Sequence, residues 1–271
     1  MVPLVSVIMP VYNQHPSYLR KAIQSILNQT LTNFEFLIID DCSTDEHCIA
    51  FLEKYRALDS RIRIIRNDVN SGVAKSLNVG ITHASAPIIA RMDSDDYSLP
   101  ERFRHQYDFL KNNPTIDLIG CWANIIDEQD HITGLYKTPT SSQEIRSRIL
   151  LTNPLIHPTW MFRKSLINTF GGYSESSPAT EDYELLLRVT PKKNIQNLPE
   201  VLFHYRFNLN GVSYKKNKFQ ELQSIKLRWN ALTKGNYPAW EAYKILPSLF
   251  MYIFIPFTLK SRILRLKQKY L

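Results

Sequence analysis

Short apolar runs alternate with polar, turn-prone stretches through roughly the first 115 residues. Leu4–Met9 (LVSVIM), Phe34–Ile39 (FEFLII), Ile62–Ile65 (IRII) and Pro87–Met92 (PIIARM) are apolar or β-branched and end in turn formers, which predicts four strands. Between them Leu19, Ile23, Ile26 and Leu27 share one helical face, Val73, Leu77 and Ile81 recur at helical spacing, and Ile49, Leu52 and Tyr55 do so more weakly. This alternation predicts an α/β fold with a parallel sheet covered by helices on both faces. Beyond about residue 115 it blurs: Leu118–Ile126 and Trp160–Phe162 read as strands, Glu144–Leu151 and Asp182–Val189 as helices. With no Pro-, Gly- or Ser-rich linker and no repeat, residues 1–240 are expected to form one domain. Its first half, about 1–115, would bind the ligand, and its second, about 116–240, would complete the site.

In open α/β sheets ligands bind outside the carboxyl ends of the strands. The polar clusters fall there: Pro10-Val11-Tyr12-Asn13, Asp40-Asp41-Cys42-Ser43, Asn70-Ser71-Gly72, and the acids of IIARMDSDDYSLPERF, Ile88–Phe103. Four loops are expected to converge on one rim. Asp93, Asp95 and Asp96 crowd within four positions, where like charges repel by on the order of 1 kcal/mol each even in water. A hard cation, Mg2+ or Mn2+, would answer that repulsion. The alternative is a solvated acidic turn capping a helix that starts near Glu101, with Pro100 close to its first turn.

Asp40 and Asp41 could accept a hydrogen bond from a nucleoside, or the segment could simply start a helix through Ser43, Thr44 or Asp45. Asn70-Ser71-Gly72 precedes a helical stretch that could offer its N-terminus and Lys75 to an anion. It matches neither the glycine-rich dinucleotide fingerprint nor a phosphate loop. In PATEDYELLLRV, Pro178–Val189, Glu181 and Asp182 open an amphipathic helix. They could favour the helix dipole, or one could serve as a general base.

Composition narrows the class. The apolar fraction of 44% and charged fraction of 21% are those of a globular protein. The net charge of +8 owes much to Lys260, Arg262, Arg265, Lys267 and Lys269 near the carboxyl end, so it points to no nucleic-acid partner. Three cysteines, Cys42, Cys48 and Cys121, lack metal-ligand spacing and suit a reducing compartment. The amino end has no secretory pattern, and a cytoplasmic location is expected.

Six segments in order, VSVIMPVYN, QSILNQTLTNFEFLIIDDCSTD, NSGVAKSLNVGI, IIARMDSDDYSLPERF, HPTWMFRKS and TEDYELLLR, resemble glycosyltransferase family 2 over roughly residues 3–215. The resemblance implies the GT-A nucleotide-diphospho-sugar transferase fold, a mostly parallel central sheet flanked by helices, and inverting transfer from a nucleotide-sugar donor, most often a UDP-sugar, to a glycan or lipid-linked acceptor. It implies that Pro10 and Tyr12 cradle the nucleobase and that Asp41 contacts its ring. Asp93 and Asp95, with Asp96 as an alternative, would hold Mn2+ or Mg2+ and the ribose. Asp182 would be the proton acceptor with Glu181 its neighbour, and His157 would belong to the acceptor-side wall. Two positions depart from the family pattern: Cys42 stands where Gly is frequent, and Asn208 where a His often follows the YR of the last core strand, leaving Asn208, water or His204 to replace it.

Residues 241–271 form an apolar and basic segment. Its uncharged stretch Ile245–Leu259 holds Pro247 and Pro256, and at 1.5 Å per helical residue it spans about 22 Å against a hydrocarbon core of roughly 30 Å. It is expected to lie on or dip into the inner membrane face, or else to pack against the protein. Trp229 and Trp240 read as packing residues. The rival functional readings are a non-catalytic nucleotide-sugar-binding scaffold and a sugar-nucleotide-forming transferase. The latter would need a Gly-rich basic loop that PVYNQHPSY does not supply.

Overall fold

The computed structural model describes residues 2–207 and 217–254. Strands β1 (Val5–Val11), β2 (Phe34–Asp40), β3 (Ile62–Arg66) and β4 (Ile88–Arg91) alternate with helices α1 (Pro16–Leu27), α2 (Glu46–Leu58) and α3 (Val73–His83), as the hydrophobic pattern predicts. The four strands are parallel in the order β3-β2-β1-β4. Successive residues face opposite layers. Val7, Met9, Phe36 and Ile38 share a core with α1, α2 and α4 (Arg102–Asn112), while Ile8, Leu37 and Ile39 pack beneath α3. Burial on both faces explains why these strands read as unbroken apolar runs. Helix α3 lies so close to the sheet that a Cβ on Gly80 would stand 2.4 Å from Ile8 Cγ2.

The second half contributes β5 (Tyr97–Ser98), β6 (Ile116–Ile126), β7 (Ile132–Tyr136), β8 (Met161–Arg163) and β9 (Asn194–Arg206), with α5 (Ser142–Arg148), α6 (Lys164–Phe170), α7 (Glu181–Val189) and α8 (Asn217–Thr233). The sheet continues β4-β8-β6-β9-β5, with β7 beside β6. The α/β class and its flanking helices are as expected, but the parallel order holds only through β4. Strand β8 enters between β4 and β6 running against both, after which β9 is parallel to β6 while β5 and β7 are antiparallel to their partners. Register along β6 and β9 jumps from Cys121↔Leu198 to Trp122↔Val201. The skipped residues include Pro199, which has no N–H to give a ladder and so suits a bulge.

This topology sets where the acids go. β5 pairs with β9, Tyr97 opposite His204, and not with β4. The segment Met92–Asp96 therefore crosses from one half of the sheet to the other.

One predicted loop residue belongs to a strand. Pro10 lies inside β1, opposite Ile39. The Ile8 carbonyl points toward β4 and accepts from Met92 N–H, whereas the Val11 carbonyl points toward β2 and accepts from Asp41 N–H. Pro10 shares the direction of Ile8, where β4 has already turned away, so its missing N–H leaves no ladder bond unmade.

After α8 comes a 3₁₀ segment (Ala239–Ile245) and α9 (Leu246–Phe254), where Pro247 sits in the first turn and needs no N–H partner. Ile225, Leu232 and Ile245 join the α3-side core. Trp229 and Trp240, expected to pack, are instead 56% and 68% exposed. Leu246, Phe250, Ile253 and Phe254 are exposed as well. No helix among the described residues is long and apolar enough to cross a membrane. Asn208, Pro256 and the basic tail fall outside the described residues.

Candidate active site

The rim loops are fastened to one another by side chains the turns require. Asn13 adopts φ +47°, a conformation Asn tolerates, and its N–H donates to Ser43 Oγ at 3.0 Å. Its Oδ1 accepts from the N–H groups of Thr44 and Asp45 at 2.8 and 2.9 Å, joining the loops after β1 and β2. Asp45 then caps α2. Asp40 accepts from Ser43 N–H at 2.9 Å and pairs with Arg66. Asp41 joins β2 to the next loop: it accepts from Asn67 Nδ2 at 2.7 Å, Ser71 N–H at 3.0 Å and Gly72 N–H at 2.7 Å. A carboxylate offers about four acceptor positions, so one remains. Cys42 stands at φ +63°, the left-handed region that Gly adopts most readily, and its Sγ contacts the Asp68 carbonyl. Tyr12 is 47% exposed at the rim. Lys75 is exposed in the first turn of α3, a helix with no side-chain cap.

Asp93, Asp95 and Asp96 place carboxylate oxygens within 4.8 Å of one another. Two arginines frame them. Arg91, buried at the end of β4, forms an ion pair with Asp93. Arg206, at the end of β9, donates its N–H to Asp96 Oδ1 at 2.6 Å and its Nε–H to the Asp95 carbonyl at 2.8 Å. Its side chain is wholly buried, donates also to the Asp127 carbonyl at 2.6 Å, pairs with Asp130 and lies 4.4 Å from the centre of the Tyr18 ring. Asp96 Oδ2 is buried without a hydrogen-bond partner. Burial, reinforced by the Asp93 charge, pushes the Asp95 carboxyl up to about 6. Burial and both neighbouring acids push Asp96 well above its ordinary range. Crowded hard oxygens, one of them orphaned, fit a divalent cation such as Mg2+ or Mn2+.

Glu181 and Asp182 open α7 after Ala179, which turns the chain at φ +64°. Asp182 Oδ2 accepts from Asn153 Nδ2 at 2.7 Å. Burial raises the Asp182 carboxyl, while the Tyr183 N–H, Arg91 and Asn153 pull it down. Burial and the Asp182 charge push Glu181 up to about 7. Arg91 thus acts on both acid groups, and Tyr136 and Tyr205 bridge them in the same way: their rings meet edge to face at 6.3 Å, one feeling Asp182 and the other Asp96, Asp93 and Asp95. His157 shares a hydrogen bond of 3.0 Å with Tyr173 Oη and meets Trp160 edge-on at 4.6 Å. Burial, helped by Arg91, pushes its imidazole well below 6.5, so it is neutral.

Asp93, Asp95, Asp96, Glu181 and Asp182 are therefore brought to one region about Arg91, with His157 beside them, while Asp41 is engaged in the loop before α3. His204 is turned elsewhere. It stacks on Tyr97 at 4.6 Å, whereas its strand neighbour Tyr205 faces the acids, and alternation along β9 puts the two on opposite sides. Arg91, Asn153, Tyr173 and Arg206 were not singled out by sequence reasoning. Arg91 and Arg206 lie within or beside recognisable motifs, but nothing in the local sequence marks Asn153.

A model of the family "Glycosyl transferase family 2" matches residues 6–171. The chain belongs to this family. Among relatives of this family 2 glycosyltransferase, the O-antigen biosynthesis glycosyltransferase WbnJ of Escherichia coli is 33% identical over 228 residues, 83% of this chain and 88% of WbnJ. S. aureus TarS 1–349 in complex with UDP-GlcNAc superposes with a TM-score of 0.70 at 22% identity, covering 98% of this chain and 78% of that one. The mannosyltransferase PcManGT from Pyrobaculum calidifontis, in complex with GDP-Man and Mn2+, gives 0.67 at 15% identity, covering 93% and 70%. At these identities the two structures establish a shared GT-A fold. Glu181 and Asp182 lie beyond the matched residues, so their placement comes from the geometry above.

The glycosyltransferase's buried Glu181 has a stability consequence. Its ordinary value is 4.5 and its folded value about 7. Below 4.5 both folded and unfolded chains keep the proton; between 4.5 and 7 the unfolded chain releases it first; above 7 the folded state carries the whole penalty. Glu181→Gln is therefore expected to stabilise the protein by on the order of 1–3 kcal/mol at pH 8 and to change little near pH 4.5. Urea unfolding at both pH values checks this, and equal shifts at the two would contradict it.

Proposed function

We propose that this family 2 glycosyltransferase transfers a sugar from a nucleotide-sugar donor, a UDP-sugar, to an acceptor hydroxyl with inversion, in assembly of a cell-surface polysaccharide or lipid-linked glycan. The observation that carries the reading is the pairing of two acid groups about Arg91: a cation-type cluster at the tip of β4 and Asp182 at the head of α7. The name of the E. coli relative supports a polysaccharide product, and the ligands named with the two GT-A structures support a nucleotide-sugar donor.

Donor recognition falls to the rim. Tyr12, half-exposed at the rim, would cradle a base together with Pro10 of β1, and the last acceptor position of Asp41 suits a base N–H. Lys75 adds a cation where the N–H groups at the start of α3 lack a cap. Asp93, Asp95 and Asp96 would hold Mn2+ or Mg2+, which when bound offsets the charge growing on a departing diphosphate. Asp182 takes the proton of the acceptor hydroxyl as its oxygen bonds to the anomeric carbon. The bond from that carbon to the diphosphate breaks, and its electron pair leaves with the nucleotide. One base suffices and no covalent sugar intermediate forms, so configuration inverts. Neutral His157, with Tyr173 and Trp160, walls the acceptor side.

The carboxyl-terminal segment supports a membrane-surface location. From Ala242 onward the sequence has no acidic residue, and α9 exposes Leu246, Phe250, Ile253 and Phe254. An apolar face joined to a basic tail suits the cytoplasmic face of an anionic membrane, where a lipid-linked acceptor would be met.

Three outcomes are expected. In a nucleotide-sugar panel with and without Mn2+, read as released diphosphate, Asp182→Asn lowers kcat by about 10²–10⁴-fold with donor binding retained. Asp95→Ala loses metal-dependent donor binding as well. Wild-type turnover by Asp182→Asn would remove that residue from the mechanism, and donor binding with no turnover in the wild type, lipid-linked acceptors included, would favour a scaffold. In vesicle flotation the full chain should rise with anionic vesicles, and Phe250→Glu combined with Phe254→Glu should abolish it. Equal flotation of that variant would sink the membrane assignment.

A further inference from the structure

The loop between α5 and β8 carries Asn153 to Asp182, and it is held from several sides. Arg228 of α8, itself buried, donates through Nη1 to the Leu150 carbonyl at 3.2 Å and the Leu151 carbonyl at 3.0 Å. The Tyr183 hydroxyl donates to the Ile149 carbonyl, and Asn197 Nδ2 donates to the Pro154 carbonyl at 3.3 Å. Within that frame the Asn153 amide can face only one way. Leu155 N–H donates to Asn153 Oδ1 at 3.2 Å, so the oxygen is committed to the backbone and the NH₂ group is turned to Asp182.

We propose that Asn153 is the positioning residue of Asp182: its amide holds Oδ2 and so fixes the orientation of the carboxylate that receives the acceptor's proton. The inference rests on the reading of Asp182 as the base. An NH₂ group only donates here, so the contact favours a carboxylate whose Oδ2 is unprotonated. Of the charged and titratable groups around Asp182, Arg91 comes from β4, Tyr136 from β7, Tyr173 from the segment before α7, and Glu181 and Tyr183 from its own helix. Arg91 favours the ionised form and Glu181 opposes it. None of these five makes a side-chain hydrogen bond to the Asp182 carboxylate among the described residues; the Tyr183 backbone N–H reaches it from within the helix, and Asn153 alone reaches it from another element. Both partners are short side chains on tethered backbone, the arrangement that keeps a reacting group within a narrow range of orientations.

The test needs no knowledge of the donor. The ¹³Cγ resonance of Asp182, assigned by its loss in Asp182→Asn, is titrated in the full chain. Asn153→Ala is expected to raise the midpoint by about one pH unit, the shift equivalent to losing one hydrogen bond to a charged group. Asn153→Asp, nearly isosteric and therefore the variant to use if Ala does not fold, should raise it further by setting a second negative charge beside the first. Asn153→Ser, which can still donate, should fall between wild type and Ala. With any donor found active in the sugar panel, the acid limb of kcat should move up in the same order while KM for the donor stays unchanged. Midpoints unmoved in both Asn153→Ala and Asn153→Asp would overturn the proposal. Midpoints that move while Asp182→Asn keeps full turnover would leave the contact real and overturn the base assignment beneath it.

Discussion

Three carboxylates gathered within 4.8 Å at the end of a buried strand are the constraint around which this enzyme is arranged. Burial, reinforced by repulsion among them, drives Asp95 and Asp96 toward protonation. The fold does not relieve that by spreading them apart. It brings the cationic side chain of Arg91 against Asp93, and a backbone N–H and guanidinium of Arg206 to Asp96 and the Asp95 carbonyl. Arg102, also fully buried, donates to the Arg91 carbonyl at 2.9 Å and stiffens the strand end from beneath. The remaining deficit of positive charge sits at the orphaned Asp96 Oδ2.

The mixed sheet follows from the same arrangement. Had β5 paired beside β4, the acids would have lain in an ordinary tight turn. Sending β5 to the outer side of β9 stretches the acidic segment across the sheet and brings it under Arg206. The same β9 stands beside β6, whose other edge carries β7, and so Tyr205 and Tyr136 are set between the two acid groups. The parallel half supplies the rim of interlocked turns proposed for the donor, and the mixed half supplies the proposed acceptor wall and base. Arg91 stands where the two meet.

Much of this is legible in the chain. The four parallel strands and the rim clusters, the acids after β4 among them, follow from two-sided burial and from the rule that polar turns at strand carboxyl ends carry function. Glu181 and Asp182 read only as acids opening an amphipathic helix, and the base role of Asp182 is what the family resemblance implies. What escaped has identifiable reasons. Pro10 reads as a loop former because its tolerance depends on β4 ending early, a tertiary fact. Trp229 and Trp240 read as core because aromatic size is visible in sequence and exposure is not. Arg206 and Asn153 act over sequence separations of 110 and 29 residues, through contacts that no local spacing encodes. The change of direction at β8 likewise depends on which neighbour a three-residue strand finds.

The acids at the tip of β4 are proposed to hold a divalent ion. Titrating Mn2+ into the full chain with UDP present, followed through the loss of the free-ion paramagnetic resonance signal, tests it most directly. One ion per chain should bind, with affinity falling by more than about tenfold in Asp95→Asn and Asp96→Asn, since even outer partners of a bound metal matter at that level. Glu181→Gln should leave it unchanged. Uptake that is equal in all four proteins, or absent from the wild type, would contradict the account.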